Sequence, residues 1–123
     1  MPILEIDIVT RTGERLPNNL ARSLADAAGD ALDTSTGQTW VKLRTMPVEH
    51  YAENGCDLPA DVSPVFVTVL KVRLPDPKQL AKESKQLAET IARVCDRPSD
   101  NVHILYLPSA IGRMAFGGNL VTA

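Results

Sequence analysis

Residues 2–11, PILEIDIVTR, and residues 64–73, PVFVTVLKVR, are built on one plan. Each stretch begins with proline and has arginine at its tenth position. In the first stretch apolar side chains fill every second position, at Leu4, Ile6 and Ile8. Because side chains alternate between the two faces of a strand, this pattern predicts a strand with one buried face. The second stretch follows the same plan and predicts a second strand.

The two stretches belong to a longer internal repeat. The prolines that open them are 62 residues apart (2 to 64), and so are the arginines that close them (11 to 73). The same spacing separates Leu43 from Leu105 and Gly55 from Gly117. A spacing shared along the chain predicts two copies of one structural unit.

A helix and a further strand are predicted after each stretch. Helices are predicted over about residues 17–32 and 77–94, where apolar residues recur at the spacing of one helix face. Pro17 is expected in the first helical turn, and Asp76 is expected to cap the second helix, with Pro77 as its first residue. The remaining predicted segments are strands at residues 39–45 and 101–107 and glycine-bearing turns at residues 50–55 and 112–118.

The predicted organisation is one domain, residues 1–123, with βαβ repeats at residues 2–55 and 64–123 and a linker at residues 56–63. A helical crossover makes the two strands of each repeat parallel. The fold class is therefore α+β, with a four-stranded mixed sheet and both helices on one face. The other face would be bare and too apolar for water, so we expect it to be covered in an oligomer.

The composition limits the classes of function. A chain of 123 residues with 44% hydrophobic and 23% charged residues is typical of a single globular domain. Its net charge of −2 argues against a nucleic-acid binder that depends on bulk positive charge. No signal segment and no run of about 20 apolar residues is visible, so the expected location is the cytoplasm. Cys56 and Cys95 are expected to be free thiols, and no metal site is expected.

Three short motifs carry a resemblance to a known family. The opening PILEIDIVTRTGE resembles the start of 4-oxalocrotonate tautomerase subunits, and HYAENG at residues 50–55 is similar to that family's HFGIGG-type turn. The segment MAFGGNL at residues 114–120 looks like the same turn again. The length and the two copies also resemble fused tautomerases and the macrophage migration inhibitory factor and cis-3-chloroacrylic acid dehalogenase branches. The chain is thus similar to the tautomerase superfamily over nearly its whole length, which implies a homotrimer and no cofactor.

The resemblance also implies the site residues. The family's base is an amino-terminal proline, which falls on Pro2, and its strand-end arginines fall on Arg73 and Arg11. The family's second-strand arginine is missing as such, because the matching positions fall near Trp40 and His103. The expected substrate-binding residues are Lys71, Tyr106, His103, Tyr51 and Phe116. Lys71 is included because it lies two residues from Arg73 in the predicted strand, which would place both side chains on the same face.

The chemistry of these residues fits their expected roles. Once Met1 is removed, Pro2 is a secondary amine, and an α-amino group titrates at about 8. Burial and neighbouring cations lower the pKa of such an amine, so that it is neutral near pH 7 and takes a proton alpha to a carbonyl. Arg73 would hold a substrate carboxylate or stabilise a dienolate oxygen, because guanidinium binds carboxylates through two hydrogen bonds. Pro64 cannot act as a base, since its nitrogen lies in a peptide bond.

Three functions remain open at this stage. The first is a tautomerase or isomerase that acts on a 2-hydroxydienoate or an α-keto acid enol, with Pro2 as the base. The second is a dehalogenase, hydratase or decarboxylase of the same superfamily in which protonated Pro2 is the acid. The third is a non-enzymatic, ferredoxin-like module that binds a small ligand. Arg11, Tyr106 and His103 also fit structural roles, as a solvated charge, a core tyrosine and a surface histidine.

Overall fold

The computed structural model describes all 123 residues, Met1 to Ala123. Its first half contains β1 (Ile3–Thr10), α1 (Leu20–Ala31) and β2 (Trp40–Pro47). Its second half contains β3 (Val65–Leu70), α2 (Pro77–Cys95), β4 (Val102–Tyr106) and a small hairpin of β5 (Ala115–Phe116) and β6 (Asn119–Leu120).

The main sheet has the strand order β2-β1-β3-β4. The strands within each repeat are parallel, and β1 and β3 meet antiparallel at the centre, with Ile3 opposite Leu70. This arrangement confirms the predicted mixed sheet. The ferredoxin-like alternative is wrong for the fold, because that fold separates the two strands of a βαβ unit and here they are neighbours.

One face of the sheet packs on both helices. Leu4, Ile6 and Ile8 of β1 and the alternate valines of β3 are fully buried in one aliphatic core with α1 and α2. The inward residues have even numbers in β1 and odd numbers in β3. An even spacing cannot relate them, so the 62-residue spacing is not the structural repeat. Leu43 and Leu105 illustrate the slip, since Leu43 packs against the core and Leu105 is 61% exposed on the other face.

The helix ends differ in how well the sequence predicted them. Asp76 caps α2 as predicted, because its carboxylate accepts a hydrogen bond of 2.9 Å from the backbone N–H of Gln79. The prediction for α1 was wrong at its start. The helix begins at Leu20, and Pro17 lies in the preceding loop, where its carbonyl accepts a turn hydrogen bond from the N–H of Leu20.

The third strand is shorter than predicted. It ends at Leu70, so Lys71 and Arg73 lie in the irregular segment before α2. Strand alternation therefore does not place these two side chains on the same face, which corrects the prediction. The last glycines, Gly117 and Gly118, have positive φ values of 56° and 86° and turn the chain between β5 and β6.

The second face of the sheet, here called the open face, carries both charged and apolar side chains. Lys42 pairs with Glu5 at 2.8 Å, and Arg44 pairs with Asp7 at 2.9 Å, across β1 and β2. The large hydrophobic residues exposed on this face or on the hairpin are Trp40, Leu105, Leu107 and Leu120. No helix has the length and hydropathy that a membrane span requires.

Candidate functional site

The predicted site residues lie at two opposite ends of the central strand pair. We call the end where β1 begins and β3 finishes the Pro2 end, and the end where β3 begins and β1 finishes the Pro64 end. The two ends are separated by about 30 Å, the length of nine residues of extended chain. Pro2, Lys71, Arg73, Tyr106 and Phe116 belong to the Pro2 end, and Arg11, Tyr51 and His103 belong to the Pro64 end.

Pro2 is buried at the point where β1 enters the sheet. Its carbonyl accepts a hydrogen bond of 3.0 Å from the N–H of Trp40. The antiparallel register ends with Ile3 opposite Leu70, and its continuation by one residue sets Lys71 across from Pro2. The carbonyl of Lys71 accepts a hydrogen bond of 2.9 Å from the backbone N–H of Ala110. A proline nitrogen and a lysine are therefore brought to the same corner of the fold.

A three-residue network lies at this corner. The Lys71 ammonium is 2.6 Å from Oε1 of Glu83, and the Tyr106 hydroxyl donates a hydrogen bond of 2.8 Å to Oε2 of the same carboxylate. The ion pair is well shielded, with side-chain exposures of 18% for Lys71 and 19% for Glu83. Burial and the hydrogen bond to Glu83 raise the pKa of Tyr106, so its hydroxyl stays protonated and remains a donor.

Glu83 is a residue that the sequence analysis missed. It lies four residues before Leu87, which is fully buried, and so on the inward face of α2. A carboxylate at that spacing within a largely apolar helix face was the available signal. Such a group needs a partner in the fold, because burying an unpaired charge is costly.

Arg73 lies close to this network in sequence but is free of it. Its side chain is exposed, and no carboxylate lies within salt-bridge distance of its guanidinium. The guanidinium can therefore bind an external anion without first breaking an internal contact.

An apolar cavity of about 410 Å³ opens on the open face beside the Pro2 end. Its apolar lining consists of Ile3, Trp40, Leu70, Leu107 and Met114. The ion pair of Glu5 and Lys42 lies on its wall. Phe116 extends the apolar surface, because its ring packs edge-on against Trp40 with centroids 5.5 Å apart. This cavity suits a ligand with an apolar body and few charges.

At the Pro64 end, Arg11 is used inside the chain. One guanidinium nitrogen donates hydrogen bonds of 2.6 Å to the carbonyls of both Pro59 and Val62, and Nε donates a long one of 3.5 Å to the Ser63 hydroxyl. The structure therefore places Arg11 on the linker. It does not bring Arg11 to Pro2 within the chain.

A second internal ion pair closes the Pro64 end. Arg97 binds Glu14 at 3.0 Å and the carbonyl of Val9 at 3.3 Å, with only 9% of its side chain exposed. Glu14 also accepts a hydrogen bond from the backbone N–H of Arg11. At this end, therefore, the arginine that could bind a substrate carboxylate is already paired with a carboxylate of the chain.

The remaining predicted residues form an aromatic row near the Pro64 end. Phe66 packs against Tyr51 and His103, with centroid distances of 5.7 and 5.4 Å. The Tyr51 hydroxyl donates to Glu53, and this hydrogen bond raises the pKa of Tyr51 to about 12. Neither Tyr51 nor His103 is brought to Pro2 in the chain. No cluster of three or more histidine, cysteine or acidic residues is arranged to hold a metal ion.

Two other features bear on the predictions. Cys56 and Cys95 are free thiols, as predicted. A larger groove of about 590 Å³ lies between α1 and the loop before β2, but its lining is polar and contains none of the predicted site residues.

Comparison with solved structures identifies the fold. Macrophage migration inhibitory factor from Oncomelania hupensis superposes with a TM-score of 0.73 at 16% identity, over 98% of this chain and 83% of its own. The Q0 fused 4-OT, solved as a symmetric trimer, gives 0.74 at 13% identity over 97% and 94% of the two chains. Pt0534, solved after inactivation by 2-oxo-3-pentynoate, gives 0.70 at 18% identity over 97% and 94%. No protein-family model and no curated protein sequence matches the chain.

These likenesses extend over almost the entire chain and over most of each neighbour. The chain therefore has the fold of macrophage migration inhibitory factor and the fused 4-OT proteins, in agreement with the sequence resemblance.

Proposed function

We propose that the chain is a cofactor-independent tautomerase whose base is the secondary amine of Pro2, exposed by removal of Met1. The observation that carries the proposal is the position of Pro2. It is buried at the start of β1, across the strand pair from Lys71, in a fold shared with macrophage migration inhibitory factor and fused 4-OT proteins.

Burial favours a neutral amine at this position, because it disfavours the ammonium form. It lowers the pKa of a free Pro2 nitrogen, so that the nitrogen can accept a proton at neutral pH. Lys71 adds little to this effect, since its charge is paired with Glu83 at 2.6 Å. The ring also restricts the rotation of the backbone and holds the nitrogen in place.

The proposed substrate is a 2-hydroxydienoate or the enol of an α-keto acid. Arg73 binds its carboxylate, since this guanidinium is exposed and has no internal partner. Pro2 takes the proton from the 2-hydroxyl and returns it to a carbon of the conjugated chain, so that no atom is gained or lost. Arg11 has no part in this proposal, because its guanidinium is bound to linker carbonyls.

The proposed assembly is a homotrimer. Trp40, Leu105 and Leu107 leave apolar surface exposed on the open face, and Leu120 does so on the hairpin. Exposed apolar area of this kind is usually covered by another chain. The fused 4-OT neighbour described above was solved as a trimer, which supports the same assembly for this chain.

A hydratase or dehalogenase of the same fold needs a carboxylate that positions water. Glu83 and Glu5 are the carboxylates placed at or beside the Pro2 end, and both are engaged in ion pairs. Glu83 also accepts from Tyr106, so both of its oxygens have partners. Glu83 is therefore not free to hold a water. Glu5 keeps one oxygen without a partner, so the hydratase or dehalogenase remains the second candidate, and the assay with a 3-haloacrylate separates it from the tautomerase.

The experiment begins with the intact mass of the purified chain, which shows whether Met1 is absent. The chain is then assayed with phenylpyruvate, 2-hydroxymuconate and a 3-haloacrylate. We expect ketonisation of one of the first two and no halide release. A variant with lysine inserted between Met1 and Pro2 keeps Met1 and converts the Pro2 nitrogen to an amide, so it should be inactive while it remains folded.

The inactivator 2-oxo-3-pentynoate gives an independent check. A neutral amine adds to the conjugated triple bond of this reagent, and the adduct increases the chain's mass by that of the reagent. We expect the adduct on Pro2 in the unmodified chain and no adduct in the inserted variant. Full activity of the inserted variant, or halide release as the only reaction, would overturn the proposal.

A further inference from the structure

We infer that Glu83 determines substrate specificity: it neutralises Lys71 and so disfavours substrates that bring a second carboxylate to the Pro2 end. This inference rests on the proposed function. It concerns a residue that lies outside the proposed chemistry of proton transfer, because Glu83 would act through the charge of Lys71.

The geometry of the network supports the first step. The Lys71 ammonium lies 2.6 Å from Glu83, and both side chains are more than four-fifths shielded from water. A shielded ion pair at this distance interacts more strongly than a surface pair, because the effective dielectric constant is lower. Lys71 is therefore a cation whose charge is already matched within the chain.

Tyr106 supports the second step by fixing the carboxylate. Its hydroxyl donates to the Glu83 oxygen that Lys71 does not bind. Since the pKa of Tyr106 is raised, this donor persists at neutral and mildly alkaline pH. Glu83 is held from two sides and cannot easily swing away to release Lys71 to a ligand.

The surrounding charges support the third step. Lys42, on the wall of the apolar cavity, is already paired with Glu5. Arg73 and Arg113 are both exposed and have no ion-pair partner, so both are available to the one carboxylate beside the reacting enol. Lys71 is the shielded cation at this end, and its charge is already matched by Glu83. A second carboxylate near Lys71 would meet the negative charge of Glu83, and such repulsion is a common source of specificity.

The cavity indicates what the favoured substrate carries instead. It lies on the open face, whereas Glu83 is bonded to Tyr106 on the helix side of the sheet, and its lining is largely apolar. A substrate that lies across the end of β3 would therefore meet the charge of Glu83 on one side and an apolar surface on the other. An α-keto acid enol or 2-hydroxydienoate with one carboxylate and an apolar tail suits that arrangement. The inferred substrate class is therefore a monocarboxylate with an apolar substituent.

The test uses two substrates that differ only at the far end of the conjugated chain. They are 2-hydroxymuconate, with a second carboxylate, and 2-hydroxyhexa-2,4-dienoate, with a methyl group in its place. We expect the unmodified chain to prefer the methyl compound in kcat/KM. Glu83→Gln should shift the ratio towards the dicarboxylate by about tenfold, as expected for one freed charge-assisted contact.

Two variants control the result. Glu14→Gln removes the matching carboxylate at the Pro64 end and should leave the ratio unchanged. Lys71→Gln removes the ammonium. The double variant lacks both charges of the pair, so its substrate ratio should return to that of the unmodified chain. If Glu83→Gln shows no cooperative melting, Lys71→Gln alone still tests the inference, because it should move the ratio further towards the monocarboxylate.

The possible outcomes separate this inference from the proposed function. Activity on both substrates with an unchanged ratio in Glu83→Gln overturns the inference and leaves the proposed function intact. If the chain turns over neither substrate, and phenylpyruvate is not turned over either, the proposed function fails. The inference is then tested by calorimetric binding of muconate and sorbate, which differ by the same carboxylate. A gain in muconate binding in Glu83→Gln supports it, and no gain overturns it.

Discussion

The Pro2 end and the Pro64 end are built from the same kinds of group but use them differently. Each has a buried proline, an arginine near the end of a strand, and a carboxylate paired with a cation. At the Pro64 end Arg11 and Arg97 are both bound by the chain itself. At the Pro2 end Arg73 has no internal partner, and an apolar cavity lined by Ile3 and Leu70 opens beside that end of the strand pair.

The difference shows that a repeated motif does not by itself create two sites. A guanidinium that already holds carbonyls must lose those hydrogen bonds before it can bind a substrate, and that loss reduces its affinity. The Pro64 end therefore uses its arginines within the fold, and we propose that the Pro2 end is the one available for chemistry. The predictions that follow test this division.

The largest expected effect separates the two prolines. Pro2→Ala should lower kcat by about a hundredfold to ten-thousandfold, the usual contribution of a positioned acid or base, because a primary amine with a freer backbone replaces the ring nitrogen. Pro64→Ala should change kcat by less than about threefold, since its nitrogen is an amide in either case. Ketonisation rates followed by ultraviolet absorbance measure both. Equal losses in the two variants would contradict the division.

The next effect concerns the carboxylate at the Pro64 end. Glu14→Gln leaves Arg97 without its counter-ion, although 91% of that side chain is shielded. Breaking a buried pair is strongly destabilising, but Glu14 itself is 26% exposed, so we expect a loss of about 2 kcal/mol in the free energy of unfolding. Urea denaturation measures this loss. The specific activity of the folded fraction should not change, and a fall in activity at full stability would place Glu14 in the site.

The sequence predicted the fold because the signals were local and repeated. The alternation in β1 and the cap at Asp76 each depend on a few neighbouring residues. The structural repeat was harder, because the shared 62-residue spacing compared prolines and arginines at strand ends. Those residues give no information about which side chains face the core. The buried residues Leu4 and Val65 do give it, and the sequence spacing between such equivalent positions is odd.

The site was less predictable because it depends on contacts between distant elements. The partners of Arg11 are carbonyls of the linker, about 50 residues later, and a carbonyl leaves no mark in a sequence. Glu83 was missed because an acidic residue on a helix is usually exposed. Its spacing to Leu87 indicates its inward position only when the helix face is already known.

A smaller effect separates the two strand-end arginines. Arg73→Ala should raise KM for the keto acid by about tenfold, the loss expected for one charge-assisted carboxylate contact, and leave stability nearly unchanged. Arg11→Ala should leave KM within about twofold and lower stability by about 1 kcal/mol, because the linker loses its hydrogen bonds. Steady-state kinetics and urea denaturation of the two variants provide the comparison. A rise in KM for Arg11→Ala would show that this residue reaches substrate, for example across a subunit boundary.

The smallest expected effect is a pH dependence of stability caused by the buried thiol of Cys95, and it tests how tightly the Pro64 end is packed. The Cys95 carbonyl accepts from Arg97, and burial raises the pKa of the Cys95 thiol to about 11. The folded chain therefore keeps the thiol proton at a pH where the unfolded chain has lost it. Stability should fall as the pH rises from about 9 to about 11, and the fall should be smaller in Cys95→Ala.

Urea midpoints at pH 8 and pH 10.5 measure this difference. Both tyrosines also have raised pKa values, so their ionisation reduces stability over the same range in both chains and cancels in the comparison. Thiol labelling gives a second measure, because exposed Cys56 should react in the folded chain and buried Cys95 should not. Rapid labelling of Cys95 would mean that the Pro64 end opens readily. The internal contacts that distinguish the Pro64 end from the Pro2 end would then break often enough in solution to expose buried side chains, and the contrast between the two ends would be weaker than the structure indicates.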